Sequence, residues 1–365
     1  MDEPTSEPRG ALVWTDGASA ELVAQVVERF GAAAPIVGVG GPRVGEVDDL
    51  VKSLGVARFD DPRRMLLDTR AATWLLASEQ DVTREHLELA ASRGVALLCL
   101  IPAAPGAGGL GIDLAGWKPR AADPPPHEAR LRMGPAMLES PGYLAAAEPL
   151  EAVGEARSIH IEADARPGDA ALSVLLIDAW RTALHFGPMP EAIDASADPP
   201  AAPNLAVARL TGVLHAHARL PGRGAVTLVV RDRSPRFQRR LVVVGSEGRL
   251  ELTDRAYRLW DAKGQLLDDP TDDSNTTKSS GVAKAAARSA EPDSDPAPHA
   301  EVADLLAMQW RRLLERRSKP APYFETSAWA RALACAEACV LSARTQSAER
   351  PETLLRVAGF DAAAG

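Results

Sequence analysis

Residues 73–102 set the pattern of the chain. An apolar run of strand length, Trp74 to Ala77, comes first. A helical pattern follows, carrying Leu87, Leu89, Ala90 and Ala91. A second, wholly apolar run, Val95 to Ile101, stops at Pro102. Continuous apolar runs of this length suit strands buried on both faces, as in a parallel sheet covered by helices. Strand, helix and strand within about thirty residues form a βαβ unit, which closes right-handed.

The same alternation precedes this unit. Residues 11–15 (ALVWT) read as a short buried strand. Leu22, Val23, Val26, Val27 and Phe30 then share one helical stripe, with Ser19 as its cap and Gly31 as its stop. Residues 35–40 give a second strand, 44–55 a helix closed by Gly55, and 56–61 a third strand. Pro62 opens the next helix, where its missing N–H costs nothing. The repeat runs to a fifth strand and predicts a Rossmann-like, doubly wound parallel sheet over residues 11–127, after a frayed tail at 1–10.

Beyond a Pro-, Gly- and Ala-rich crossover at 103–126 the period changes. Residues 156–165 alternate apolar and polar, as a half-exposed strand does. Residues 169–187 form a helix with a broad apolar face. Long strands follow within 205–264, joined by turns at Gly222/Gly224, Glu247-Gly248 and Lys263-Gly264. The expected second domain, 128–350, is an open, mostly antiparallel sheet with helices on one face. Residues 268–299 are poor in apolar bulk and read as a disordered insertion. A helix resumes with Leu305, Leu306, Met308, Trp310, Leu313 and Leu314, and another spans 327–344. Residues 351–365 read as a loose tail.

Bulk properties narrow the class. At 365 residues the chain suits two domains, and a net charge of −9 argues against a general nucleic-acid surface. No apolar run spans a bilayer, and the acidic N-terminus is no secretory signal, so a cytoplasmic protein is expected. There are three cysteines, and Cys335 and Cys339, one helical turn apart, read as small buried residues. His215 and His217 point the same way from one strand without a third ligand, so no metal is expected. Arg311, Arg312, Arg316 and Arg317 read as the solvated end of a helix.

In such a sheet a dinucleotide sits at the first strand-to-helix turn, where glycines let backbone approach the diphosphate. Here that turn is Thr15-Asp16-Gly17-Ala18-Ser19, with one glycine and an acid whose charge repels phosphate. Gly38, Gly40 and Gly41 come with the second strand rather than the first. The candidate cofactor contacts are Gly17, Ser19, Arg43, which could meet a 2′-phosphate, and Ser78 at the end of the fourth strand.

Residues 73–102 resemble the glucose-fructose oxidoreductase / inositol dehydrogenase (Gfo/Idh/MocA) family. Its pattern is a strand, Thr-Pro-Asn-x-x-His, a helix and Gly-Lys-His-Val-Leu-x-Glu-Lys-Pro. Gly94 and Pro102 match the glycine and final proline, and Leu97 and Leu98 the apolar pair. Residues 140–163, 242–254 and 332–351 resemble the start of that family's second domain, its Gly-x-x-Gly hairpin and its closing helix. The resemblance implies an NAD or NADP cofactor, a small-molecule ligand in an interdomain cleft faced by Asp178, Trp180 and His185, and a homodimer. The dimer surface would come from Val226, Leu228, Val230 and residues 241–244.

The family's chemical positions do not match. Its Glu-Lys falls on Leu100 and Ile101, which carry neither proton nor charge. Its His falls on Thr83 and its Pro on Glu79. A second motif, Gly-x-His-x-x-Asp, leaves Asp178 in place but puts Leu175 and Ser173 at the His and Gly. Together these changes predict a homologue that has lost or altered hydride transfer and serves as a binding or scaffold protein. The alternative is an active NAD(P)-dependent oxidoreductase on a sugar or polyol, with Asp178, His185 or Glu79 as relocated catalytic groups. Lys118, about sixteen residues late, is the nearest lysine downstream of the fifth strand that could substitute.

Overall fold

Two sheets organise the chain in a computed structural model that describes residues 10–101, 131–200, 207–270, 298–315 and 326–358. The first contains β1 (Gly10–Trp14), β2 (Ile36–Gly40), β3 (Ala57–Phe59), β4 (Ala71–Leu76), β5 (Ala96–Cys99) and β6 (Leu131–Met133). Their order is β3-β2-β1-β4-β5-β6, every pair parallel. α1 (Ala20–Phe30), α2 (Asp48–Leu54), α3 (Pro62–Asp68) and α4 (Arg84–Ser92) connect the first five strands. β1 and β4 are buried at every position, which is why both read as unbroken apolar runs.

The sheet has one strand more than the pattern predicts. β6 pairs with β5 through Leu97 and Leu131, and three residues are too few to show a period. Asp61 caps α3 through the Arg63 amide at 2.8 Å, with Pro62 in the first turn as expected. Ser19 does not cap α1 with its side chain. Its amide instead donates to Asp16 Oδ1 at 3.0 Å.

The second sheet contains β7 (Ala156–Asp164), β8 (Ala192–Asp198), β9 (Val213–Arg219), β10 (Ala225–Arg231), β11 (Gln238–Gly245), β12 (Gly248–Thr253), β13 (Tyr257–Asp261) and β14 (Leu266–Asp268). The order is β14-β13-β12-β11-β7-β10-β9-β8, antiparallel except between β7 and β10. α5 (Pro141–Ala146) packs on β12 and β13, and α6 (Leu172–Phe186) on β7 and β10. α8 (Thr326–Thr345) packs on β8 and α6. Cys335 and Cys339 are buried on α8, as their spacing suggests.

Several expectations need correcting. Val226, Leu228, Val230, Leu241 and Val243 lie buried on the helix-covered face, so they cannot supply a dimer surface. Val242 and Val244 alternate to the open face. Residues 351–365 are not wholly loose, because α9 (Pro351–Val357) packs on α8. The expected insertion at 268–299 falls mostly outside the described residues, but Asp268 ends β14 and the buried Asp269 pairs with Arg258 at 2.8 Å.

α7 (Ala300–Glu315) leaves the second sheet and returns to the first, packing beside α1 and over β4 and β5. Phe30 and Trp310 stack there with ring centroids 4.1 Å apart. Arg311 is therefore not merely solvated. It donates to the carbonyls of Arg29 and Phe30, satisfying the exposed end of α1, while Arg312 donates to the Glu139 carbonyl at 2.8 Å. Arg316 and Arg317 lie outside the described residues. Among those residues no helix is long and apolar enough to cross a membrane.

Candidate functional site at the interdomain crevice

The C-terminal ends of β1, β2 and β4 meet at the β1–α1 turn, where the Thr15 amide donates to the Gly40 carbonyl at 3.0 Å and the Ala77 amide to the Trp14 carbonyl at 2.8 Å. Two carboxylates already fill its amides. Asp16 Oδ1 accepts from the Ser19 amide at 3.0 Å, and Glu46 Oε2 accepts from the Gly17 amide at 3.3 Å. Glu46 Oε1 also pairs with Arg43 Nη1 at 3.3 Å. Two amides just ahead of α1, on the side where its dipole attracts anions, are thus served by the protein's own anions. Glu46 lies 29 residues from Gly17, and nothing in the local pattern marks it.

The other predicted cofactor contacts are also engaged. Ser19 Oγ donates to the Ala77 carbonyl at 3.4 Å. Ser78 is buried, and its hydroxyl accepts from the Gln80 amide in its own loop at 3.3 Å. The glycines at the end of β2 serve packing. A Cβ on Gly40 would lie 2.5 Å from the Trp14 ring, and one on Gly41 would lie 2.5 Å from the Thr15 carbonyl. As built, the turn's Gly17 and Ser19 amides are taken by carboxylates rather than left open to a diphosphate.

The positions matching the family's catalytic residues have structural partners. Thr83 caps α4, its amide donating to His86 Nδ1 at 3.0 Å. Leu100 and Ile101 pack, partly buried, against the cores on the two faces of the sheet. Lys118 lies outside the described residues. Cys99, at the end of β5, is buried, which pushes its thiol up to about 12 and leaves it unreactive.

Asp178 sits in a buried chain of alternating charges. It accepts from the Met137 amide at 3.0 Å and from Arg239 Nη1 at 2.7 Å. Arg239 also binds Asp254 at 2.5 Å and the Pro135 carbonyl at 2.7 Å. Arg181 neighbours both Asp178 and Glu139, and Glu139 pairs with Arg132 at 3.4 Å. Burial raises the Asp178 pKa, and Arg239 and Arg181 oppose the rise. With its oxygens bonded to Arg239 and Met137, Asp178 joins the end of β6 to the second sheet. Arg239, the centre of the chain, reads in sequence as one more charge on a strand.

His185 does not join the first-turn residues. It lies seven residues beyond Asp178, ~10 Å along the helix, where the next glycine, Gly187, approaches Ile159 and Leu220 of the second domain. Its Nε2 is 2.8 Å from the Tyr143 hydroxyl, and burial lowers its pKa. Trp180 is fully buried against α8, its indole N–H 3.3 Å from Cys339 Sγ, so it does not line the cleft. Glu79 is exposed beside β4. His215 and His217 are exposed on the open sheet face, and no group able to hold a metal ion occurs among the described residues.

A parallel six-stranded sheet followed by an eight-stranded, mostly antiparallel one is the two-domain fold of the Gfo/Idh/MocA-type NAD-binding dehydrogenases. Among solved structures the chain is similar to UDP-N-acetylglucosamine 3-dehydrogenase GnnA from Acidithiobacillus ferrooxidans, at 14% identity over 92% of this chain and 97% of that one, with a TM-score of 0.60. It is similar to levoglucosan dehydrogenase in complex with NADH and levoglucosan, at 12% identity over 94% and 99% of the two chains, TM-score 0.60. An oxidoreductase from Agrobacterium radiobacter, in complex with NAD+, L-tartaric acid and magnesium, matches at 14% identity over 96% and 100%, TM-score 0.61. No protein-family model and no curated protein matches the chain. Identity at this level establishes the fold and leaves the activity to the site.

Proposed function

We propose that this chain keeps the dehydrogenase scaffold, has lost or altered hydride transfer, and binds a small molecule in the crevice between its domains as a binding or scaffold protein. The observation that carries this reading is the pair of carboxylates, Asp16 and Glu46, on the amides a diphosphate would need. Unit charges about 4 Å apart near a protein surface repel by about 4 kcal/mol, so each carboxylate weighs heavily against a diphosphate. The apolar Leu100 and Ile101 at the family's Glu-Lys positions agree with it, since neither side chain exchanges a proton. An active NAD(P)-dependent oxidoreductase on a sugar or polyol has the fold alone in its favour.

Calorimetry with NAD(H) and NADP(H) tests the reading. No heat is expected at millimolar cofactor. Binding tighter than about 10 μM, roughly −7 kcal/mol, would sink it and make turnover with sugars and polyols the next assay. The expected boundary at 127/128 falls too early, because β6 (Leu131–Met133) pairs with β5; the proposed first domain runs from residue 11 through β6, and the second follows it, with α7 returning to pack on the first. We also propose that two copies pair through the open face of the second sheet, where Val242, Val244 and Trp260 accompany its charged residues.

A further inference from the structure

Three helix starts converge beside the crevice. His299 immediately precedes α7. It touches Asp169, three residues before α6, and Glu21, in the first turn of α1. His299 Nδ1 lies 2.6 Å from Asp169 Oδ1, and its Nε2 lies 4.0 Å from Glu21 Oε2. The Asp169 side chain is fully buried, and its other oxygen accepts from the Arg166 amide at 3.1 Å. Gly168, at φ +89°, turns the loop that presents Asp169. On the other side, Gln25 of α1 donates to the Pro298 carbonyl at 2.6 Å and fixes the base of His299.

These contacts cross between domains. α7 packs on α1 and the first sheet, whereas Asp169 leads into α6 on the second sheet. A second tie is the Asp178–Arg239 chain, which holds the backbone just after β6, at the sheet's edge, and Arg255 of the second domain also lies 4.0 Å from Asp304 of α7. β6 is three strands from β1, the strand that feeds α1, a separation of roughly 14 Å. Rotation about the β6 tie would therefore part the domains at His299. His299 itself has φ +64°, in the left-handed region that few non-glycine residues adopt.

We propose that His299 is a latch: its bond to Asp169 holds the crevice closed, and the Asp178–Arg239 chain is the pivot about which it opens. The latch stands on geometry independent of any cofactor, so it does not depend on the reading of the β1–α1 turn.

The test uses the full-length chain with spin labels at Arg64→Cys on the first domain and Lys263→Cys on the second. Both sites are exposed, and Cys99, Cys335 and Cys339 are buried with raised thiol pKa values, so they stay unlabelled. The parent is expected to give one narrow distance distribution. His299→Ala should lengthen and broaden it, while His299→Asn, whose amide reaches Asp169 as Nδ1 does, should keep it narrow. If His299→Ala does not fold, His299→Gln fills the space but misplaces the donor, and carries the same expectation. An unchanged distribution in the Ala or Gln variant would overturn the latch. So would an Asn variant as broad as Ala, because packing rather than the bond would then hold the domains.

Discussion

Two buried or half-buried acids illustrate how little a residue's type says about its use. Glu46 is a surface-type residue in sequence, yet it caps the Gly17 amide and holds Arg43. Replacing Glu46 with Ala would free that amide and that guanidinium together. Calorimetry should then show affinity for inorganic diphosphate at least about tenfold above the parent, a change of about 1.4 kcal/mol. Asp178 resembles a catalytic aspartate by position, yet it is buried and bonded to Arg239 and the Met137 amide. Asp178→Ala would leave Arg239 buried with one of its two carboxylate partners gone. A loss of about 3–5 kcal/mol is expected in urea unfolding, as for breaking other buried ion pairs. The apolar character of Leu100 and Ile101 was legible from sequence. The engagement of Asp178 was not, because Arg239 lies 61 residues away.

Elements were legible where their period was long. α1, α6, α7 and α8 each show a stripe or a broad apolar face, and all four appear in the structure. β6 and α9 were missed because a short element gives no period, and their neighbours decide their state. The pattern shows that α7 is amphipathic but not which sheet it covers. Its apolar face meets α1 and the first sheet through Trp310, which is fully buried on Phe30. Trp310→Ala should cost about 3–5 kcal/mol, the range for emptying a buried aromatic site. Thermal unfolding followed by near-UV circular dichroism would show it, and an unchanged midpoint would mean that α7 does not brace the first domain.

At the scale of the whole molecule, the two domains are joined by buried charge at the β6 edge and by His299 beside α1. The open face of the second sheet carries Val244, 41% exposed, opposite Arg249 of β12 and Ser158 of β7. If two copies pair through it, light scattering should report twice the chain mass. Val244→Glu should return the protein to a monomer without changing its unfolding midpoint. A monomeric parent would end that proposal.

The sequence by itself determined the class of each sheet, since burial on two faces or on one leaves a different period in the chain. Matched without gaps to the resembled motif, it puts Ile101 and Thr83 where that family has a lysine and a histidine. Tertiary structure alone decided what occupies the β1–α1 turn, which sheet α7 joins and how Asp178 is used. Each depends on a partner far along the chain. Glu46 reaches Gly17, Trp310 reaches Phe30 and Arg239 reaches Asp178, and contacts between such distant residues leave no periodic trace in a single sequence.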